Sequence, residues 1–389
     1  MRIYRTICAA LLLFLPIQVH RAQQTPEGRP KLKDFGSSLK RLKWDKRANK
    51  AVEKTPSKNA GPASEDELVK VTTDLVTCAV QITDSRGNVI KGLTQDDFIV
   101  FEDGAPQTIH HFSLGNDQTV PRTIVLVIDH SGSQAPYIKT SVEAAKNLVD
   151  QLGPRDLMAI VTDDVKLLVD FTRDKVKLKK ALDSLPKSFG VSKQFSALLA
   201  TVREAFTQED VRPIVIFQTD GDELFSLRPT VPPLFSIPPD SPYPPSPEKS
   251  FSLGDLYLAI EKSRVSVYTV IPSPPLIESR VHTGFKTTTE LFGTSNPRKL
   301  PPVAYRRWEQ IAAAGAAIGG WTEYLSKPED ASDIYRRILE DINTRYVISY
   351  YPTNKTRDGK SRRVSIEVKG HTEYSVWGRK SYIASGADN

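Results

Sequence analysis

The sequence predicts an α/β protein, a doubly wound and mostly parallel sheet with a flanking antiparallel β module, on three observations. Ile124 to Ile128 is an unbroken aliphatic and β-branched run, and Pro213 to Gln218 is a second. Such runs belong to strands buried on both faces of a parallel sheet. Helical and strand periodicity then alternate around them, as βαβ units require. Finally, the segments on either side carry apolar and polar residues in alternation with tight turns, the pattern of half-buried antiparallel strands.

Taken in order, Met1 to about Gln23 reads as a secretory signal. Arg2 and Arg5 precede the apolar run Ile7 to Val19, and Ala22 offers a small residue for cleavage. Residues 24–67 read as a basic, disordered linker. Between 24 and 60, eleven Lys and Arg face only Glu27, Asp34, Asp45 and Glu53. The first 60 residues therefore carry more positive charge than the whole chain's formal +7, and the remainder is slightly acidic. That distribution argues against a nucleic-acid-binding body and suits, at most, electrostatic association of the linker with an anionic envelope surface. Of two cysteines, Cys8 lies in the signal, which leaves Cys78 without an internal disulfide partner.

Residues 68–117 form the expected N-terminal β module, with Arg86, Gly87 and Asn88 as a turn, and residues 344–385 a C-terminal β segment able to pair with it. Neither flank alone buries enough apolar surface for a stable sandwich. Between them, residues 118–343 supply the α/β domain. Strands are expected at Leu157 to Thr162, Lys166 to Phe171, Val265 to Ile271 and Gly320 to Leu325. Helices are expected at Val142 to Leu152, Lys175 to Leu185, Ala197 to Phe206, Tyr305 to Ala317 and Asp330 to Ile342. Two insertions, 226–249 with nine prolines and 272–304, leave from carboxyl ends of strands. Proline pre-sets extended backbone, so these loops are expected to shape a partner site, with Phe235, Tyr243 and Arg280 as contacts.

Both buried runs end in carboxylates. Ile128 is followed by Asp129, Ser131 and Ser133, and Gln218 by Thr219 and Asp220. Ligands of open α/β sheets bind at the carboxyl ends of the strands. Carboxylates and hydroxyls gathered there are hard oxygen donors for Mg²⁺, or for Mn²⁺ or Ca²⁺. Asp129 and Ser131 equally suit the cap of the helix that begins near Pro136. His130 is expected to be exposed, and Asp222 and Glu223 to be solvated loop charges.

The DxSxS run, followed about ninety residues later by a strand ending in TDG, resembles the metal-ion-dependent adhesion site of von Willebrand factor A (VWA) domains. The segment DSRGNVIKGLTQDDFIVFEDGAPQTI is similar to the β segment of the secreted bacterial "VWFA-related" acidobacterial-type family. The resemblance spans roughly residues 68–384. It implies a divalent ion held by Asp, Ser, Ser, Thr and a second Asp, with a partner protein's Asp or Glu completing the coordination. Asp129, Ser131, Ser133 and Asp220 match one by one. Where the family often has GGTxL, this chain has Lys193 to Leu198, and Ser196 takes the threonine position.

The resemblance thus implies an exported, non-enzymatic protein-binding module in the periplasm, at the cell surface or outside the cell. Two other readings use the same face: a metal-dependent hydrolase or phosphoryl-transfer enzyme with an aspartate nucleophile, and a structural envelope protein whose ion stabilises the sheet edge. Against the enzyme stand the absence of a GxSxG elbow or P-loop and six scattered histidines, among them His110 and His111 in the β module.

Overall fold

The computed structural model describes residues 31–54, 75–117, 120–131, 134–135, 138–185, 192–207, 210, 212–219, 227–228, 250–272, 320–325 and 327–384. The signal, the remainder of the linker, most of both insertions and the helix expected at Tyr305 to Ala317 lie outside them.

A short helix α1 (Ser37–Lys40) leads into a hairpin of β1 (Leu42–Asp45) and β2 (Lys50–Glu53). There follow β3 (Val76–Thr83), β4 (Phe98–Glu102), β5 (Ala105–Gln107) and β6 (Ile109–Leu114). The α/β domain then runs through β7 (Arg122–Ile128), α2 (Ile138–Asp150), β8 (Leu157–Thr162), β9 (Lys166–Thr172), α3 (Lys175–Asp183), α4 (Gln194–Ala200) and β10 (Arg212–Gln218). It continues with the short pair β11 (Leu227–Arg228) and β12 (Phe251–Ser252), then α5 (Leu253–Lys262), β13 (Ser266–Pro272), β14 (Thr322–Leu325) and α6 (Ala331–Thr344). The chain closes with β15 (Tyr346–Tyr350), β16 (Ser361–Val368), β17 (Ser375–Trp377) and β18 (Ser381–Ile383).

The central sheet has the order β14-β13-β10-β7-β8-β9, parallel throughout except for the antiparallel edge strand β9. Alternation along β7 explains why it is apolar at every position. Ile124, Leu126 and Ile128 face a core shared with α2, α3 and α6, while Val125 and Val127 face one shared with α4 and α5. Helix α6 places Ile334, Ile338, Leu339 and Ile342 inward at helical spacing. Helix α4 is buried along its whole length. The strand order reverses between β7 and β10, so a crevice opens where Asp129 and Thr219 emerge.

The flanking segments meet in space. One four-stranded antiparallel sheet has the order β17-β3-β15-β6 and another β18-β16-β4-β5. Between them lies a third core that includes Cys78, Ile82, Phe98, Ile348 and Val364. Burial pushes the Cys78 thiol up to about 11, so it is an inert packing group at neutral pH.

The expectation of a disordered linker is corrected over residues 31–54. Leu42 is buried, and Leu32, Phe35 and Leu39 pack against the α4/α5 layer. The carboxylate of Glu204 accepts the backbone N–H of Gly36 at 2.7 Å and of Ser38 at 2.8 Å. Asp255, which closes a capping box with Ser252 at the start of α5, also accepts the N–H of Ala51 at 3.0 Å. Gly36 has φ +87°, and a Cβ there would lie 2.9 Å from Val165. The lysines and arginines point outward while a minority of apolar residues supplies the adhesion, which net charge alone conceals.

Candidate metal centre

Asp129 follows β7 directly and is completely buried. Its Oδ1 accepts the backbone N–H of Ser131 at 3.0 Å, a local turn that holds the carboxylate over its own loop. The loop is tied down further along, where the Gln134 N–H donates to the Ser131 carbonyl at 2.9 Å. Gln218, the last residue of β10, donates through Nε2 to Ser141 Oγ of α2 at 3.2 Å. The loop after β7 is therefore fixed by the neighbouring strand and by the helix it feeds.

His130 is not exposed, contrary to expectation. Its imidazole is 3% accessible, and Nδ1 pairs with Oδ1 of Asp163, which also accepts the His130 backbone N–H at 3.2 Å. Asp163, just past β8, is itself buried. Its N–H donates to the Ile128 carbonyl at 3.2 Å, and its carbonyl accepts the N–H of Lys193 at 3.0 Å. Next to it, burial would raise Asp164, but hydrogen bonds from Lys166 and Thr162 outweigh that and hold its carboxyl below the ordinary value. Asp163 thus couples the β7 loop to the start of α4. Sequence neighbours gave no signal for it, because its partners come from two other elements.

Of the expected ligands, Asp129 and Ser131 are brought together by a hydrogen bond, and Ser196 lies buried in the first turn of α4, which Lys193 anchors beside Asp163. Ser133 and Asp220 lie outside the described residues. Thr219, the residue before Asp220, is fully buried, and its N–H donates to the Val270 carbonyl at 3.1 Å. One further hydroxyl was missed by sequence reasoning. Ser192 Oγ, just ahead of the α4 cap, is buried and has no hydrogen-bond partner. A buried hydroxyl left unsatisfied costs free energy that a ligand recovers.

By their chemistry alone, the buried carboxylate of Asp129 and the hydroxyls of Ser131, Ser192 and Ser196 suit a hard divalent cation. Among the described residues no three His, Cys, Asp or Glu side chains converge.

Residues 124–223 match the family model of the von Willebrand factor type A domain. The chain contains a von Willebrand factor type A domain. The match begins at the third residue of β7 and ends beyond β10, so it encloses both strand ends of the crevice. Over 128 residues the chain is 28% identical to inter-alpha-trypsin inhibitor heavy chain H4 of Bos taurus, a match covering 29% of this chain. The matched part is 14% of that protein's length. Among solved structures, the vWF domain of the type V pili tip protein Mfa5 from Porphyromonas gingivalis is similar at 14% identity and a TM-score of 0.38, covering 58% of this chain and 95% of that one. The manganese-loaded TRAP protein of Plasmodium vivax is similar at 12% identity and a TM-score of 0.31, covering 75% and 100%. Among the described residues, no helix of the VWA domain or its flanks is long and apolar enough to cross a membrane.

Proposed function

We propose that this VWA domain is an adhesion-type protein-binding module of an exported protein, acting through a divalent ion, Mg²⁺ or else Mn²⁺ or Ca²⁺, at the carboxyl edge of its sheet. Asp129 and Asp220 would hold the ion directly or through water, with Ser131 and Ser133 as hydroxyl donors. An Asp or Glu of the partner would take the remaining position. The ion supplies a positive charge that these few carboxylates do not fully neutralise, and that charge attracts the partner's carboxylate. The observation that carries the reading is the buried Asp129 at the point where the strand order reverses, fastened to Ser131 and enclosed by the family match.

For the hydroxyl of the α4 loop there are two candidates. Ser196 sits within the helix, whereas Ser192 lies in the preceding loop with its Oγ buried and unsatisfied. The unsatisfied oxygen favours Ser192 over the Ser196 expected from sequence. The His130–Asp163 pair positions the loop and is given no chemical step. Metal titration into Ser192→Ala and Ser196→Ala separates the two serines. Metal-dependent capture of an acidic partner, abolished in Asp129→Ala and by chelation, tests the module as a whole. Partner capture that survives both treatments would contradict it.

A further inference from the structure

At the opposite edge of the same sheet, four arginines line one cavity. Arg212 opens β10, Arg264 and Ser266 flank the start of β13, Arg345 follows α6, and Arg379 comes from the loop between β17 and β18. Thr77 and Ala79 of β3 and Val347 of β15 close the other side, so the space lies at the seam between the VWA domain and the sandwich. Its volume is about 30 Å³. One water needs roughly 10–15 Å³ on that measure, so the cavity suits an ion of a few heavy atoms and not a nucleotide.

Charge is unequally compensated there. Arg345 is paired with Asp341 through Nε at 2.6 Å, and Asp341 is further bonded by Tyr268 Oη at 2.7 Å and Gln81 Nε2 at 2.9 Å. Nearby, Arg122 is paired with Asp156. Arg212 and Arg379 make no direct ion pair among the described residues, although the charges of Asp156 and Asp117 act on the first and that of Glu261 on the second. Arg212 donates to the carbonyls of Gly115 and Ile342, and Arg379 to those of Glu261 and Ser263. Both are buried, at 6% accessibility each. Arg264 donates to the Thr207 carbonyl at 3.0 Å and is half-buried, so the space is not sealed from solvent. Carbonyl dipoles solvate a guanidinium only in part, and a buried charge without a directly paired counter-charge is costly. Burial lowers Arg212 to about 10 and pushes Arg264 and Arg379 down as well, yet Arg212 still carries its charge at neutral pH.

We propose that this cavity binds one small tetrahedral oxyanion, inorganic phosphate or sulfate, held by Arg212, Arg264 and Arg379 at the seam between the two domains. Guanidinium groups match such an anion by charge and by their planar fork of donors. The bound anion would fasten β10 and β13 of the VWA domain to the sandwich loop that carries Arg379. The site is independent of the metal centre, since it lies at the other ends of the strands.

The test is calorimetric titration of inorganic phosphate into the full, chelator-treated chain in chloride buffer at constant ionic strength. One saturable site per chain is expected, displaced by sulfate and retained in Asp129→Ala. Affinity should fall about tenfold or more in Arg212→Gln and in Arg264→Gln. Arg264→Gln removes the least buried of the three and decides the matter if Arg212→Gln does not fold. No saturable heat, equal binding in both arginine variants, or saturation by acetate but not phosphate would overturn the proposal.

Discussion

The two edges of the central sheet are built from the same strands and carry opposite chemistry. At the carboxyl edge, β7 is followed by the buried Asp129, bonded to the Ser131 N–H, and by the His130–Asp163 pair. At the amino edge, β7 and β10 begin with Arg122 and Arg212, surrounded by the turn at Gly115 and the end of α6. Gly115 passes so close to α6 that a Cβ would lie 2.3 Å from the Ile342 carbonyl. The difference shows a division of labour. The amino edge gathers arginines, some paired and some not, where two domains join, and the carboxyl edge carries the buried Asp129.

The strongest way to break this division is Arg122→Met. It takes the guanidinium, whose Nε donates at 2.8 Å, from the buried carboxylate of Asp156 and leaves that charge only the backbone N–H groups of residues 122 and 153. A loss of about 3–5 kcal/mol is expected from urea unfolding, because a buried charge loses its partner. Metal affinity of the folded fraction should be unchanged; a parallel loss would mean that the edges are not separate. The effect also has a pH signature. Burial would raise Asp156, but its bonds with Arg122 outweigh that, so its folded pKa lies below 3.8. The pair therefore contributes fully above pH 3.8, and its contribution is lost as pH falls through the lower folded value. The stability gap between wild type and Arg122→Met should narrow on acidification; a gap that widened would contradict the assignment.

A smaller effect is expected from Asp163→Ala at the other edge. It removes the acceptor for the His130 N–H and imidazole, for a cost of about 1–3 kcal/mol. Unlike the arginine change it should also weaken metal binding, since the loop carrying Asp129 loses its anchor. Unaltered metal affinity would reduce Asp163 to a packing residue. Smallest of all are the serines. Ser192→Ala and Ser196→Ala should each shift stability by under about 1 kcal/mol. Only Ser192→Ala is expected to weaken metal binding, by roughly tenfold, and the reverse ranking would restore Ser196.

Legibility in the sequence followed this same contrast. Strands β7 and β10 could be read because burial on both faces leaves no polar position to interrupt the run. The edge strand β9 was also found, since its polar face still alternates. What escaped were relations between distant residues. His130 looked exposed because its polar neighbours do not reveal Asp163 across the strand end. The docking of residues 31–54 was hidden because lysines dominate a count while Leu32, Phe35, Leu39 and Leu42 dominate the packing. The four cavity arginines are scattered through the chain and converge only when the flanks close on the VWA domain.

The most direct test of the central claim is calorimetric titration of Mg²⁺, Mn²⁺ and Ca²⁺ into the chain and into Asp129→Ala, repeated with a small carboxylate present. One saturable site that tightens with carboxylate and vanishes in the variant is expected. Binding that persists in Asp129→Ala, or no binding in the wild-type chain, would contradict that claim.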